Sequence, residues 1–187
     1  LIRPILRGRD IKRYGYNWDN LWLINTHNGI KGVKPRININ EYSAVKAYLD
    51  QHWDKISKRA DKGDTPYNLR NCAYMEDFYK PKIVWGNLNL SAAYSIAADG
   101  IFVNAPCPMI VPASKYLLAI LNSKVADYYI RQLGVTRNGG YFEYKPMFVE
   151  NLPVPNNIDC KTIEYLEACV NSKDESSIDK LVYLSLI

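Results

Sequence analysis

The sequence predicts an α+β fold, with a mixed, largely antiparallel β-sheet core, packing helices and a short C-terminal helical pair. Three observations carry this prediction. Two segments with helical apolar spacing, 41–59 and 114–133, flank a run of short strand candidates. Those strands lack the regular strand–helix–strand alternation of a doubly wound sheet. After Pro155 the character changes to two short amphipathic patterns.

The opening segment, LIRPILRGRDIKRYGYNWDNLWLINTHNG, alternates basic groups with Tyr14, Tyr16, Trp18 and Trp22. Residues 21–24 read as a short buried strand, and Gly8 and Gly15 mark turns. Arginines interleaved with aromatics this densely hold phosphates and stack on bases. They serve equally well as an aromatic core edge with snorkelling arginines.

Residues 41–59 place Tyr42, Val45, Leu49, Trp53 and Ile56 on one face, which predicts a packed helix. A polar segment follows, DKGDTPYNLRNCAY, with the donors Lys62, Thr65, Asn68, Arg70 and Asn71. Residues 82–85, KIVW, form a buried-strand candidate introduced by Pro81. Strands at 92–96 and 101–104 flank Asp99-Gly100, a pair that predicts a hairpin, and 109–111 adds another strand.

Ser114 is the expected N-cap of one long helix whose stripe runs through Leu117, Leu121, Val125 and Tyr128. Asp127 and Arg131 are spaced as a solvated pair on another face. Gly134 is expected to end the helix in the left-handed conformation. The loop at Asn138-Gly139-Gly140 leads into an extended return that stops at Pro153 and Pro155. Asp159 caps a helix carrying Ile163, Leu166 and Val170, and Ser176 or Ser177 caps a second carrying Ile178, Leu181 and Val182. Two regions result: a body, 1–156, and a helical tail, 157–187, packing on the body or on a larger parent.

The length of 187 residues, 48% hydrophobic and 23% charged, is that of a globular domain with a substantial core. No apolar run approaches the ~20 residues that a membrane span needs. The chain opens on Leu-Ile-Arg-Pro without an initiator methionine, as expected of a piece of a longer polypeptide. Cys72, Cys107, Cys160 and Cys169 form no CxxC pair, so reduced thiols of a cytoplasmic protein are expected, and no structural metal. The net charge of +5 is unevenly spread: residues 158–187 carry −3, and residues 1–13 carry +4. A basic body with an acidic tail fits a polyanion for the body and a different partner for the tail.

No dinucleotide fingerprint, phosphate loop, HExxH or GxSxG occurs. Glu143-Tyr144-Lys145 has the Glu-x-Lys spacing of metal-dependent nucleases, which need carboxylates converging on Mg²⁺. The further carboxylate such a site requires has no assignable position in the sequence.

Several separated blocks then share an order: PILRGRDIKRYGY with LWLINTHNG, DKGDTPYNLRNCAY followed by FYKPKIVWG, and YLLAILNSKVADYYIRQ with GGYFEYKPMFVENLPVP. Together they resemble the TaqI-like C-terminal specificity domain, the target-recognition domain of type II restriction-modification enzymes and related adenine-specific DNA methyltransferases. The resemblance runs from Arg3 to Pro155. It implies a module that reads a short duplex DNA sequence for a methyltransferase domain of the parent polypeptide, which flips out an adenine. The Asn-Pro-Pro-Tyr motif and the S-adenosylmethionine site of such enzymes would lie in that parent, together with any Mg²⁺. The chain itself is then expected to bind no cofactor and to catalyse nothing.

Residue type and loop context supply the expected contacts. Arg7, Arg9, Lys12 and Arg13 suit phosphate anchoring, Arg70, Asn71, Arg137 and Asn138 suit base edges, and Lys62 suits either. Two other readings stand beside this one: a Mg²⁺ nuclease using Glu143 and Lys145, and a protein-interaction scaffold with an incidental basic face.

Overall fold

Short strands punctuated by glycine and proline, and helices capped by Ser and Asp, set the order of elements in the computed structural model. It describes residues 1–155 and 157–186, so the expected boundary at residue 156 lies outside the described residues. The first elements are β1 (Ile2–Leu6), β2 (Ile11–Lys12), β3 (Gly15–Tyr16), β4 (Trp22–Ile24), α1 (Ser43–Asp50) and α2 (Trp53–Ile56). Five strands follow: β5 (Lys82–Trp85), β6 (Leu88–Asn89), β7 (Tyr94–Ala97), β8 (Phe102–Val103) and β9 (Met109–Ile110). The remainder is α3 (Lys115–Asn122), α4 (Lys124–Leu133), β10 (Thr136–Arg137), β11 (Tyr141–Glu143), α5 (Pro146–Val149), α6 (Cys160–Ser172) and α7 (Glu175–Ser185). The fold is α+β, as expected, with small and mostly antiparallel sheets.

The chain forms two units. The first comprises Leu1–Arg3 and Trp22–Glu76; the second comprises Pro4–Leu21 and the chain from Asp77 onward.

The first unit is held by polar groups. Thr26 Oγ1 donates to the Tyr67 carbonyl (2.6 Å), and the buried Asn68 amide donates to the Ile37 carbonyl (3.0 Å) and accepts from Thr65 Oγ1 (2.6 Å). Asn25, Thr26 and Asn68 are buried in this unit together with Ile39 and Met75, and the expected packed helix at 41–59 differs in two ways. It is interrupted at Gln51 and His52, and neither α1 nor α2 contains a buried residue. Tyr48 and Trp53 are exposed, and so is Trp22, on the strand expected to be buried.

The second unit carries the apolar core. β5 lies between β7 and β9, antiparallel to both, with Trp85 opposite Tyr94 and Ile83 opposite Ile110. Ile83, Trp85, Tyr94, Leu118, Leu121, Ile130, Tyr144, Leu166 and Ile178 pack into one cluster to which α3, α6 and α7 all contribute. Asp159 caps α6 as expected, accepting from the Thr162 N–H. Asp174, rather than Ser176 or Ser177, caps α7 by accepting from the Ser177 N–H.

The expected hairpin across Asp99-Gly100 does not form. β7 pairs with β5, whereas β8 pairs in parallel with β1, matching Ile5 to Phe102. Gly100, at φ +73°, donates its N–H to the Phe78 carbonyl, and Phe102 stacks on Phe78 at 4.4 Å. Those contacts direct the chain away from β7.

The helix expected from Ser114 is two helices. Ser114 caps α3 as expected, but Ser123 is extended, at ψ 154°, ending α3 and starting α4. Its hydroxyl donates to the Ile120 carbonyl (2.7 Å) and accepts from the Ala126 N–H (3.2 Å), which makes the break self-satisfied. Gly134 is also extended, at φ −83°, so its small size serves another purpose: a Cβ there would lie 3.0 Å from the Glu143 and Ile130 carbonyl oxygens.

Candidate nucleic-acid interface

In the second unit, two distant stretches of chain face one cleft. The first is the basic opening, where a short helical turn at Gly8–Asp10 leads into the β2–β3 hairpin. Gly8 packs against Gly86, where a side chain on either would be tightly contacted. The second is a three-stranded antiparallel ladder, β10–β11–β6, pairing Arg137 with Tyr141, Thr136 with Phe142 and Glu143 with Leu88.

The cleft is a cavity of about 900 Å³. Arg9, Lys12, Arg13, Arg137 and Lys145 line it, with Glu143 the single acid among the described lining residues. Asn87, Asn89 and Asn104 add neutral amides, and Leu88, Leu90 and Tyr141 add apolar surface. Five cations against one carboxylate give the lining an excess of positive charge, which favours anionic ligands.

The cations differ in what else they do. Arg9 is exposed, and Lys12 Nζ donates to the Arg9 carbonyl (2.8 Å). Arg13 pairs with Glu175 (3.1 Å) and donates to the Asn122 carbonyl, so it also ties α7 and α3 together. Arg7 is bound to Asp10 through Nε (3.0 Å) and Nη2 (2.8 Å), and to Asp19 (2.5 Å). The Arg7 guanidinium holds the buried Asp10 carboxyl below its usual range.

Glu143 is buried and grips two of the cleft cations. Arg137 Nε donates to Oε1 at 2.6 Å, Arg137 Nη2 meets the same oxygen, and Lys145 Nζ meets Oε2 at 2.7 Å. Lys145, then Arg137, lower the Glu143 carboxyl below its ordinary range. Both oxygens therefore face cations, the reverse of the convergent carboxylates that a Mg²⁺ nuclease needs. Asn138 sits exposed at the turn, where Gly139 and Gly140 both adopt positive φ.

The other expected contacts lie in the first unit. Lys62 Nζ donates to the Ser57 carbonyl (2.8 Å), Arg70 pairs with Asp61 at the surface (3.3 Å), and Asn71 accepts from the Asn28 amide (2.6 Å). Asn71 lines a separate shallow concavity of about 870 Å³ together with Asn28, Asp64 and the turn at residues 29–35.

Asn87, Asn89, Asn104 and Tyr141 belong to no motif that marks a site in the sequence, and Lys145 stands out there only through the Glu-x-Lys spacing. The Asn87-x-Asn89 spacing after a buried strand was the available signal, since alternate residues of an extended segment share a face.

The expected Asp127–Arg131 pair is present at 3.0 Å but is not merely solvated. Asp127 also accepts from the Ala92 N–H (2.7 Å) and the Tyr144 hydroxyl, and Arg131 lies over the Phe142 ring at 4.6 Å. This network ties α4 to the strand that carries Glu143.

Among the described residues no helix is long and apolar enough to cross a membrane, and no group of three His, Cys, Asp or Glu is arranged for a metal ion. The four cysteines are free thiols, and burial pushes Cys107, at the cleft wall, up to about 11.

Among known proteins, the chain is similar to the type II methyltransferase M.BanIII of Aneurinibacillus aneurinilyticus, with 22% identity over 187 aligned residues. The alignment covers 91% of this chain and 32% of that protein, so the chain spans about a third of its relative. The family model for the TaqI-like C-terminal specificity domain matches residues 3–154, which include every side chain of the cleft described above. The chain therefore belongs to the TaqI-like C-terminal specificity domain family.

Proposed function

We propose that this chain reads a short sequence in duplex DNA on behalf of a methyltransferase domain in a larger, adenine-specific restriction-modification protein. The observation that carries this reading is the cleft: basic side chains from residues 9–13 and 137–145 line one cavity, with amides and apolar groups among them. Arg9, Lys12 and Arg13 suit phosphates, while Arg137, Asn138 and the cleft asparagines suit base edges. Lys62, Arg70 and Asn71, in the first unit, are proposed DNA contacts of that unit by residue type. Arg7 supports the anchoring segment by fixing the turn at Asp10.

In this reading the chain is non-catalytic and cytoplasmic. S-adenosylmethionine, and any Mg²⁺ used in cleavage, belong to the rest of the parent protein. The acidic helices α6 and α7 join the module to that parent. The nuclease alternative is disfavoured by the two cations that occupy Glu143.

Fluorescence anisotropy with a mixed-sequence duplex over a salt series tests the proposal. Each phosphate neutralised contributes about −0.9 to the log–log slope, so three to five contacts predict a slope of roughly −3 to −4.5. A slope near zero removes the DNA reading.

A further inference from the structure

A buried carboxylate in the middle of a basic cleft opposes polyanion binding, so its presence calls for a benefit other than affinity. Glu143 is 3% exposed, while the side chains of Arg137 and Lys145 that it holds are 55% and 41% exposed. Its backbone is fixed as well: its N–H donates to the Val135 carbonyl (3.1 Å), and the next N–H, of Tyr144, donates to Asn87 (2.8 Å). Gly134 packs against its carbonyl so closely that a Cβ there would lie 3.0 Å from the oxygen.

The contact is made with one particular edge of the guanidinium. Glu143 Oε1 takes the side of Arg137 that carries Nε and Nη2. The end of the fork keeps an outward N–H on each of Nη1 and Nη2, with no further partner for Arg137 among the described residues. Two parallel N–H groups match the O6 and N7 acceptors of guanine in the major groove. A phosphate anchor needs charge and little orientation, and an adjacent acid weakens it. A base reader needs orientation above all, and a buried carboxylate gripping its side edge supplies that.

We propose that Glu143 is a positioning residue that holds Arg137 to read a guanine edge. The inference rests on the DNA reading above and adds a direction to it: removing the acid should leave binding to arbitrary DNA undiminished or stronger while erasing one base preference.

The test begins by selecting duplexes from a randomised pool with the full chain. Competition then compares the selected duplex with versions in which single G·C pairs are replaced. In the wild type, replacing one guanine weakens binding roughly 5- to 100-fold. Glu143→Ala loses that preference and binds mixed-sequence duplex as tightly as the wild type or more so. Glu143→Gln retains an acceptor for Arg137 and recovers part of the preference. Arg137→Lys keeps the charge without the fork, leaves the buried carboxylate in place and loses the same guanine, which guards against misfolding of the Glu143 variants.

A Glu143→Ala chain that folds and keeps the preference overturns the proposal, as does one that weakens every duplex alike. A wild type that binds DNA yet tolerates replacement of each guanine overturns it while leaving the DNA reading intact. A wild type that binds no duplex removes both.

Discussion

Asn122 pairs with Tyr94 as a neighbouring strand would. Its side-chain amide donates to the Tyr94 carbonyl at 2.9 Å and accepts from the Tyr94 N–H at 3.0 Å. Both residues are fully buried, and Asn122 is the last residue of α3, so one side chain locks the helix end to the edge of β7. Arg13, on the cleft wall, donates to the Asn122 carbonyl, so this lock also supports the basic segment at residues 9–13.

Replacing Asn122 by Leu leaves the Tyr94 N–H without its partner, while the Tyr94 carbonyl keeps the bond from the Tyr14 N–H. One orphaned buried donor and one lost acceptor bond amount to about 2–4 kcal/mol of stability. Urea denaturation should show the loss as a lower midpoint with an unchanged slope.

Gly134 makes a second, purely steric prediction. Its φ of −83° suits any residue, yet an added Cβ would sit 3.0 Å from two backbone oxygens. Gly134→Ala should cost about 1–3 kcal/mol, as overpacking does, and should displace β11 and Glu143 with it. Gly100→Ala is the contrasting case, because its surroundings are open and only its φ of +73° opposes a side chain, at about 1–2 kcal/mol. Thermal melts of both variants measure the costs, and only Gly134→Ala should alter DNA binding.

Lys82 predicts a dependence on alkaline pH. It is fully buried, with its ammonium donating to the carbonyls of Phe78 (2.8 Å), Lys80 (3.0 Å) and Ala98 (3.0 Å). Burial pushes its pKa from 10.5 down to about 8, with Asp99 opposing. Between those values the unfolded chain binds more protons at this position than the folded one, so the contribution of Lys82 to stability rises with pH across the window. The Cys107 thiol and the Tyr14 hydroxyl, whose pKa values burial raises, act in the opposite sense. The three carbonyl contacts favour the charged form and limit the gain to about 1–3 kcal/mol. The stability of the wild type relative to Lys82→Met should therefore increase from pH 8 to pH 10, which paired urea titrations of the two chains would reveal.

Local chemistry was legible in the sequence, and long-range chemistry was not. Ser114 and Asp159 cap their helices as read, because a cap involves only the next three residues. The break at Ser123 is not legible in the helical spacing, and its neighbour Asn122 answers to Tyr94, 28 residues earlier. Residue type drew attention to Arg9, Lys12, Arg13 and Arg137, yet only the fold brings the first three and the last to one cavity. The spacing of Glu143 to Lys145 is visible in the sequence and offers only the alternative of a metal site, whereas the grip of Glu143 on Arg137 depends on the β10–β11 register.

Arg7 and Arg9 are two residues apart and identical in sequence terms, but they differ in how firmly the fold holds them. Arg7 is committed to Asp10, which is 4% exposed, whereas the Arg9 side chain is 72% exposed and only distantly paired with Asp19, at 4.0 Å. Arg7→Ala strands a buried carboxylate and should lower the melting temperature at neutral pH. Asp10 has a depressed pKa through Arg7, so this pairing stabilises the fold above the ordinary carboxylate range and is lost as pH falls through the folded value. The difference between wild type and Arg7→Ala should therefore close in acid. Arg9→Ala should leave the melting temperature unchanged and reduce the steepness of the salt slope for duplex binding by about 0.9, the contribution of one phosphate. Melts over a pH series and binding over a salt series distinguish the two, and an Arg7→Ala chain that is fully stable but flattened in salt dependence would reverse the assignment.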